Sequence, residues 1–185
     1  MQTVKIDRTK EWTVEDYLQL GEMNTPCQLI NGELIMNPSP TPYHQAVIGN
    51  LYELIKPLAK EAGGLVFLSP LDVHIDKKNV YQPDLIYIRS SNKHIVTQRA
   101  IEGVPDLVIE VISPSNIFSD RNTKKKVYQR IGVAEYWIVD PANQTLEVYL
   151  KDQTDPDVPF LYVVTEGIVT STVLTELQFN LNQIF

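Results

Sequence analysis

The sequence predicts a single α/β or α+β domain: a mixed β-sheet with helices laid on it. Three observations carry this. Short apolar runs of strand length recur along the chain. Two longer segments repeat their apolar residues at helical spacing. The order runs helix, hairpin, helix, several strands, helix, more strands, which is neither all-β nor all-α. A chain of 185 residues has the size of one domain and can bury roughly 70% of the surface it exposes when unfolded. With 43% hydrophobic and 21% charged residues, the composition is globular. No repeat, low-complexity tract or linker divides residues 1–185, so one domain is expected throughout.

The elements follow in order. Thr13 can cap a short helix through Leu20, with Asp16 three residues on completing a capping box. Residues 27–36 read CQLI-NG-ELIM, and Asn-Gly between two apolar runs is a strong signal for a two-residue hairpin. Residues 43–62 predict a helix, with Pro57 expected to kink or break it and Gly63 and Gly64 to end it. Apolar runs at 65–69, 71–75 and 84–88 predict strands. DLVIEVI at 106–112 is almost wholly apolar, as in a strand buried on both faces. A helix is expected over 117–131, then strands EYWIVD (135–140) and TLEVYL (145–150) joined by the turn-like PANQ. Two further β runs, 159–164 and 168–174, precede a short C-terminal segment.

Charge and composition exclude several classes. The net charge is −7, from 16 Lys+Arg against 23 Asp+Glu. That argues against a protein that coats nucleic acid or anionic membrane by bulk charge. Residues 151–185 hold Lys151 against Asp152, Asp155, Asp157, Glu166 and Glu176, an acidic C-terminal segment. A single cysteine, Cys27, allows no internal disulfide and no multi-cysteine metal site. It fits a reducing compartment, and the cytoplasm is expected. The first residues carry no apolar signal-peptide core, and no run is long enough to span a membrane.

Five residues stand out chemically. Strand periodicity sets Asp106, Val108, Glu110 and Ile112 on one face, so Glu110 is a carboxylate inside an apolar strand. Such a charge requires partners or a metal, unless the strand end meets solvent. In the following helix, Ile117, Asp120, Lys124, Val127, Tyr128 and Ile131 fall on one stripe. Asp120 and Lys124 thus point inward, while Arg121, Lys125, Lys126 and Arg130 lie to the sides or outside. An exposed Asp120–Lys124 pair would be worth only a few tenths of a kcal/mol, and an inward Lys124 suits a buried Glu better. Asp84 opens the apolar strand QPDLIYI, although Pro-Asp also begins ordinary turns. Glu33, beside the Asn-Gly turn, would alone be read as a solvated residue.

Together, an Asp at a strand start, a Glu in a central strand and an inward Lys form a set suited to phosphodiester hydrolysis with a divalent metal. Hard oxygen donors suit Mg²⁺ or Mn²⁺, which polarises a phosphate and acidifies bound water. A nearby Lys can orient that water or stabilise developing charge. Residues 120–130 carry five basic residues and one acid, a local patch where a polyanion could dock.

The segments INGELI, PSPTPYHQ, QPDLIYI, PDLVIEVISPSN, SDRNTKKKVYQRIGVAEYWIVDP and TLEVYL occur in this order. They resemble a bacterial restriction endonuclease-like domain family, formerly a domain of unknown function, of the PD-(D/E)XK nuclease superfamily. The resemblance runs from about the Thr13 helix to the last strand. It implies a restriction-endonuclease-like core and an Mg²⁺-dependent endonuclease (or Mn²⁺-dependent) acting on DNA. Asp84 resembles the Asp of the first superfamily signature and Glu110 the acid of the second. The superfamily Lys two residues after that acid is replaced here by Ile112, and Lys124 in the next helix matches instead. Glu33 resembles an upstream acid that helps bind metal, and His44 a recurrent position at the start of the long helix. The resemblance implies metal ligation by Asp84, Glu110, the Val111 carbonyl and Glu33, with Lys124 positioning water and Asp120 orienting Lys124. Tyr128 reads equally as a core aromatic or a contact to the site. Because cutting both strands takes two such sites, a homodimer is expected. The alternatives are a nuclease fold that binds without cutting, favoured by the acidic charge, and a hydrolase of small phosphoesters. The latter lacks a Gly-rich phosphate loop, and His44, His74 and His94 are too scattered for a zinc site.

Overall fold

The computed structural model describes residues 9–21, 27–36, 39–113 and 118–185. Helix α1 spans Val14–Gln19. Its capping box is formed: the Asp16 N–H donates to Thr13 Oγ1 at 3.2 Å and the Thr13 N–H to Asp16 Oδ2 at 3.1 Å. Strands β1 (Cys27–Ile30) and β2 (Glu33–Met36) form the expected hairpin, with Ile30 opposite Glu33. Asn31 and Gly32 turn the chain at φ 51° and 82°, the left-handed pair that a tight hairpin turn requires.

Helix α2 spans Pro42–Glu61 and runs through Pro57, where a kink or break was expected. Pro57 removes one bond to the carbonyl of Glu53. Both residues are exposed, so water can take the freed carbonyl. Strands β3 (Leu65–Leu68), β4 (Val73–Asp76), β5 (Asn79–Tyr81) and β6 (Leu85–Ile88) follow. Strand β5 was not predicted, because three residues are too short for a periodic signal. Strand β7 is Leu107–Val111, with every residue buried, as a run apolar but for Glu110 predicts. The expected helix over 117–131 is a π-helical turn, Ser119–Lys124, continuing into α3, Lys125–Ile131; Ile117 lies outside the described residues. Strands β8 (Glu135–Asp140) and β9 (Thr145–Leu150) match the predicted runs. Strand β10 covers Leu161–Val164. Of the β run expected over 168–174, only β11 (Ile168–Thr170) is a strand; β12 (Gln178–Asn180) lies beyond it, in the C-terminal segment where no strand was predicted.

The strands form three sheets. The central one is mixed and six-stranded, ordered β10-β9-β8-β7-β6-β3. Its parallel pair is β7 with β8, joined by the π-turn and α3. The hairpin belongs to a separate four-stranded sheet, β2-β1-β5-β4, and β11 pairs with β12. Alternation along the central strands assigns their two faces. On one, Ile109, Val111, Trp137 and Val139 pack in a core with Val47, Ile48, Leu51 and Ile55 of α2. On the other, Val108, Tyr136 and Ile138 pack with Val127 and Tyr128 of α3. The C-terminal end of β7 lies between the first turn of α2 and the π-turn. In sheets with parallel strands, functional groups collect at such strand ends. Among the described residues no helix is long and apolar enough to cross a membrane.

Candidate active site

Asp84 immediately precedes β6 and Glu110 lies in β7. One step beyond the Leu85–Ile109 pair, antiparallel register sets the two carboxylates opposite each other, on the same face. Asp84 Oδ2 accepts the Val111 N–H at 2.8 Å, which ties the start of β6 to the end of β7. Asp84 Oδ1 accepts no hydrogen bond among the described residues, so one oxygen of the carboxylate is spare.

Glu110 is 2% exposed. Its Oε1 meets two donors: Lys124 Nζ at 2.9 Å and the Tyr128 hydroxyl at 3.0 Å. Oε2 accepts none among the described residues. Lys124, equally buried, also reaches Asp120 Oδ1 at 3.0 Å. The π-turn turns both residues inward, and single wide turns of this kind often mark functional sites. Tyr136 fixes the turn from below, its hydroxyl donating to the Asp120 main-chain carbonyl at 3.0 Å.

His44 enters from the other layer. It sits in the first turn of α2, where its N–H donates to the Thr41 cap at 3.2 Å. Its Nε2 lies 2.8 Å from the Val111 carbonyl and 3.5 Å from Asp84 Oδ2. A carbonyl can only accept, so Nε2 carries the proton. Nδ1 is buried with no hydrogen-bond partner among the described residues.

Three carboxyls, one ammonium and one imidazole thus share a small, poorly solvated volume. Burial raises the Glu110 pKa; Lys124 opposes this, but Asp120 and Asp84 reinforce it, and the group is pushed up to about 8. Burial likewise raises Asp120 against the pull of Lys124. Burial disfavours the Lys124 ammonium, yet Glu110 and Asp120 outweigh it and hold the amine above its ordinary value. The rises on the acids and on the amine pull against each other. Lys124 stays charged between Glu110 and Asp120, and burial favours the protonated form of both acids. For His44, burial lowers the pKa, but Asp84 and the Val111 carbonyl prevail and raise it.

The donor chemistry fits a divalent metal. Asp84 and Glu110 are hard oxygen donors, each with a free oxygen, and Mg²⁺ is commonly held by one or two carboxylates with water completing the shell. Among the described residues no group of three or more His, Cys, Asp or Glu side chains converges as a fuller cage. A cavity of about 610 Å³ lies elsewhere, lined by Leu58, Glu61, Tyr87, Arg89 and Leu174 among others. These residues mark the C-terminal ends of α2 and β6, about 25 Å along α2 from His44. No carboxylate–lysine pair lines it, so its size is no guide to the chemistry.

The Uma2 family, described as "Putative restriction endonuclease", matches residues 14–181. The chain belongs to this nuclease family. A similar relative is the uncharacterized protein sll1609 of Synechocystis, 27% identical over 146 residues, covering 77% of this chain and 82% of the relative. A crystal structure described as a "putative nuclease belonging to DUF820", from Anabaena variabilis, superposes with a TM-score of 0.77. It covers 94% of this chain and 97% of the other at 22% identity, a likeness that shows the fold.

Within this Uma2 chain, the structure brings together Asp84, Glu110, Asp120, Lys124 and His44. It does not bring in Glu33, which is exposed on β2; no hydrogen bond or ion pair joins it to the cluster among the described residues. The hairpin that carries it belongs to the other sheet. The Val111 carbonyl, expected to face a metal, is taken by His44. The basic patch is also altered. Arg121 pairs with Asp140 at 3.3 Å and with Glu147, Lys125 with Asp157 at 3.2 Å and Arg130 with Asp76 at 2.9 Å. Lys125, expected outside, is buried, with its ammonium 4.6 Å from the Tyr149 ring centre. Of the basic residues in 120–130, only Lys126 lacks an acidic partner among the described residues. Two tyrosines complete the surroundings of the cluster, and only one of them was legible in the sequence. Tyr128, one turn beyond Lys124 on the same stripe, was legible as a candidate; the bond from Tyr136 to a main-chain carbonyl left no sequence signal.

Proposed function

We propose that the protein is an endonuclease that hydrolyses DNA phosphodiester bonds with Mg²⁺ or Mn²⁺. The observation that carries this reading is the side-by-side Asp84 and Glu110, each with a free oxygen, next to a buried lysine. Membership of a nuclease family supports it. Asp84 and Glu110 would hold the metal, with the Val111 carbonyl a third donor if His44 releases it. A divalent ion there supplies Lewis acidity to a phosphate oxygen and lowers the pKa of bound water. Lys124 would orient the attacking water and balance negative charge. Asp120 shares the ammonium with Glu110 and so keeps Lys124 in place. His44 buttresses Asp84 and the end of β7. Cleavage of both strands would use a homodimer, and a cytoplasmic enzyme fits the single cysteine.

The test is supercoiled plasmid incubated with the protein in Mg²⁺, Mn²⁺ or EDTA, beside Glu110→Gln. Nicking or linearisation that requires metal and disappears in the variant is expected. Cutting that survives both EDTA and the substitution would overturn the reading. A nuclease fold that binds without cutting is the second reading, favoured because acids neutralise most of the 120–130 cations. It gains if no plasmid is cut and calorimetry detects no metal binding.

A further inference from the structure

We propose that Tyr128 is a positioning residue that orients Glu110 so that one carboxylate oxygen is kept free for the metal. This rests on the reading of Asp84 and Glu110 as the metal pair. Tyr128 and Lys124 lie four residues apart, and their donors converge on the same oxygen, Glu110 Oε1, at 3.0 and 2.9 Å. Oε2 receives nothing from the described residues. The terminal torsion of a Glu side chain is soft and roughly two-fold, so an untethered carboxylate would sample both faces.

The two donors contribute differently. The ammonium of Lys124 sits on a flexible stem and is shared with Asp120 at 3.0 Å. The Tyr128 hydroxyl is carried on a rigid ring that is fully buried. Tyr81 meets that ring edge-on at 5.7 Å and Tyr136 lies at 4.9 Å. Packing therefore sets where the hydroxyl is, and the hydroxyl sets the carboxylate. Being neutral, it does this without adding a charge that would compete with a cation for Glu110.

A buried phenol usually finds some partner, so Tyr128 could be no more than a satisfied core residue. Tyr136 supplies the control. It is just as buried, and its hydroxyl donates at the same 3.0 Å, but to the main-chain carbonyl of Asp120. Removing it deletes an equivalent hydrogen bond without touching a metal-binding carboxylate.

The experiment titrates Mn²⁺ alone, without DNA, into the full chain by calorimetry. The proteins are wild type, Tyr128→Phe, Tyr136→Phe and the Asp84→Ala/Glu110→Ala double variant. The rise in Tm caused by saturating Mn²⁺ is a second readout, which still reports on a variant too unstable to titrate. Tyr128→Phe should weaken Mn²⁺ on the order of 10-fold, as the loss of a ligand's hydrogen-bonding partner commonly does, and shrink the Tm rise. Tyr136→Phe should lower the metal-free Tm similarly and leave affinity at the wild-type value. Wild-type affinity in Tyr128→Phe, or equal weakening in both Phe variants, would overturn the proposal while the double variant still lost binding. If wild type bound no Mn²⁺, or the double variant bound it as well as wild type, the metal pair itself would fall, and the role of Tyr128 with it.

Discussion

Two glutamates are buried in neighbouring central strands, and they are held in opposite ways. Glu135, at the start of β8, is completely shielded from solvent. Its Oε1 accepts the Trp137 indole at 2.5 Å. Its Oε2 accepts the Thr172 N–H and hydroxyl, both at 2.7 Å, and the Val173 N–H at 3.2 Å. Four neutral donors surround it, and both oxygens are used. Glu110, on the other face of the sheet, has both its partners on one oxygen, a lysine as its only cation contact among the described residues, and two further carboxyls close by. A buried polar group left partly unsatisfied is costly, and such sites persist where chemistry needs them. Glu135 is a staple for the C-terminal segment, whereas Glu110 keeps one oxygen free of partners among the described residues.

Substituting the two in parallel breaks or sharpens this contrast most strongly. Glu135→Ala strands the donors of Trp137, Thr172 and Val173, and should cost about 5 kcal/mol of stability, read from urea unfolding. Glu110→Gln keeps an acceptor for Tyr128 and Lys124 and removes a disfavoured charge. It should change stability by about 1 kcal/mol or less while abolishing metal-dependent cutting. Equal destabilisation by both would make Glu110 structural too.

Next in size is Lys124. Lys124→Met leaves Glu110, Asp120 and Asp84 without a shared cation, and breaking a buried ion pair from one side should cost about 3 kcal/mol. Adding Asp120→Asn should recover part of that loss, because one of the stranded carboxyls becomes neutral. If denaturation shows the two substitutions simply adding, Lys124 and Asp120 are not coupled.

The pH dependence is smaller and has a definite sign. Burial pushes the Glu110 carboxyl up from 4.5 to about 8 in the folded protein. Between these values the folded state binds more protons than the unfolded one, so stability should fall as pH rises through the window. His44 is also raised above 6.5, so its contribution is fully present below 6.5 and lost as pH rises through its folded value. Glu110→Gln should remove the Glu110 share of the slope and leave that of His44. Metal requires the deprotonated carboxyl, so Mn²⁺ affinity should climb with pH and level off near 8. Affinity flat with pH, measured by calorimetry, would mean that Glu110 does not titrate there.

The difference between the two glutamates marks how far the sequence could be read. Local signals were legible: Asn31-Gly32 gave its hairpin, the Thr13–Asp16 box its helix start, and the stripe through Asp120, Lys124 and Tyr128 turned the right side chains inward. Glu110 stood out because its strand is otherwise apolar. Glu135 stood in a comparable run, yet its donors at 172 and 173 lie 37 and 38 residues on, and no periodicity connects them. The contact between His44 and Val111 spans 67 residues and depends on α2 crossing the end of β7, which only the assembled layers determine. Lys125 was misplaced because a regular helix was assumed where a π-turn changes the phase, and because its partner Asp157 lies in a later loop.

The smallest expected effect concerns Glu33. Family resemblance puts it among the metal ligands, but the fold leaves it exposed at the hairpin turn, opposite Ile30 in the smaller sheet. Exposed residues away from caps and buried networks usually change stability by no more than about 0.5 kcal/mol. Glu33→Gln should therefore preserve both Tm and Mn²⁺ affinity, in contrast to Glu110→Gln, where Tm holds and affinity is lost. The informative result would be the opposite one: unchanged Tm with weakened Mn²⁺ in Glu33→Gln. That would mean the hairpin sheet moves onto the carboxylate pair when metal binds, and that the arrangement described here is the open form of the site. Comparing hydrogen exchange of residues 27–36 with and without Mn²⁺ would then show protection confined to the hairpin, whereas an uninvolved Glu33 leaves those amides unchanged.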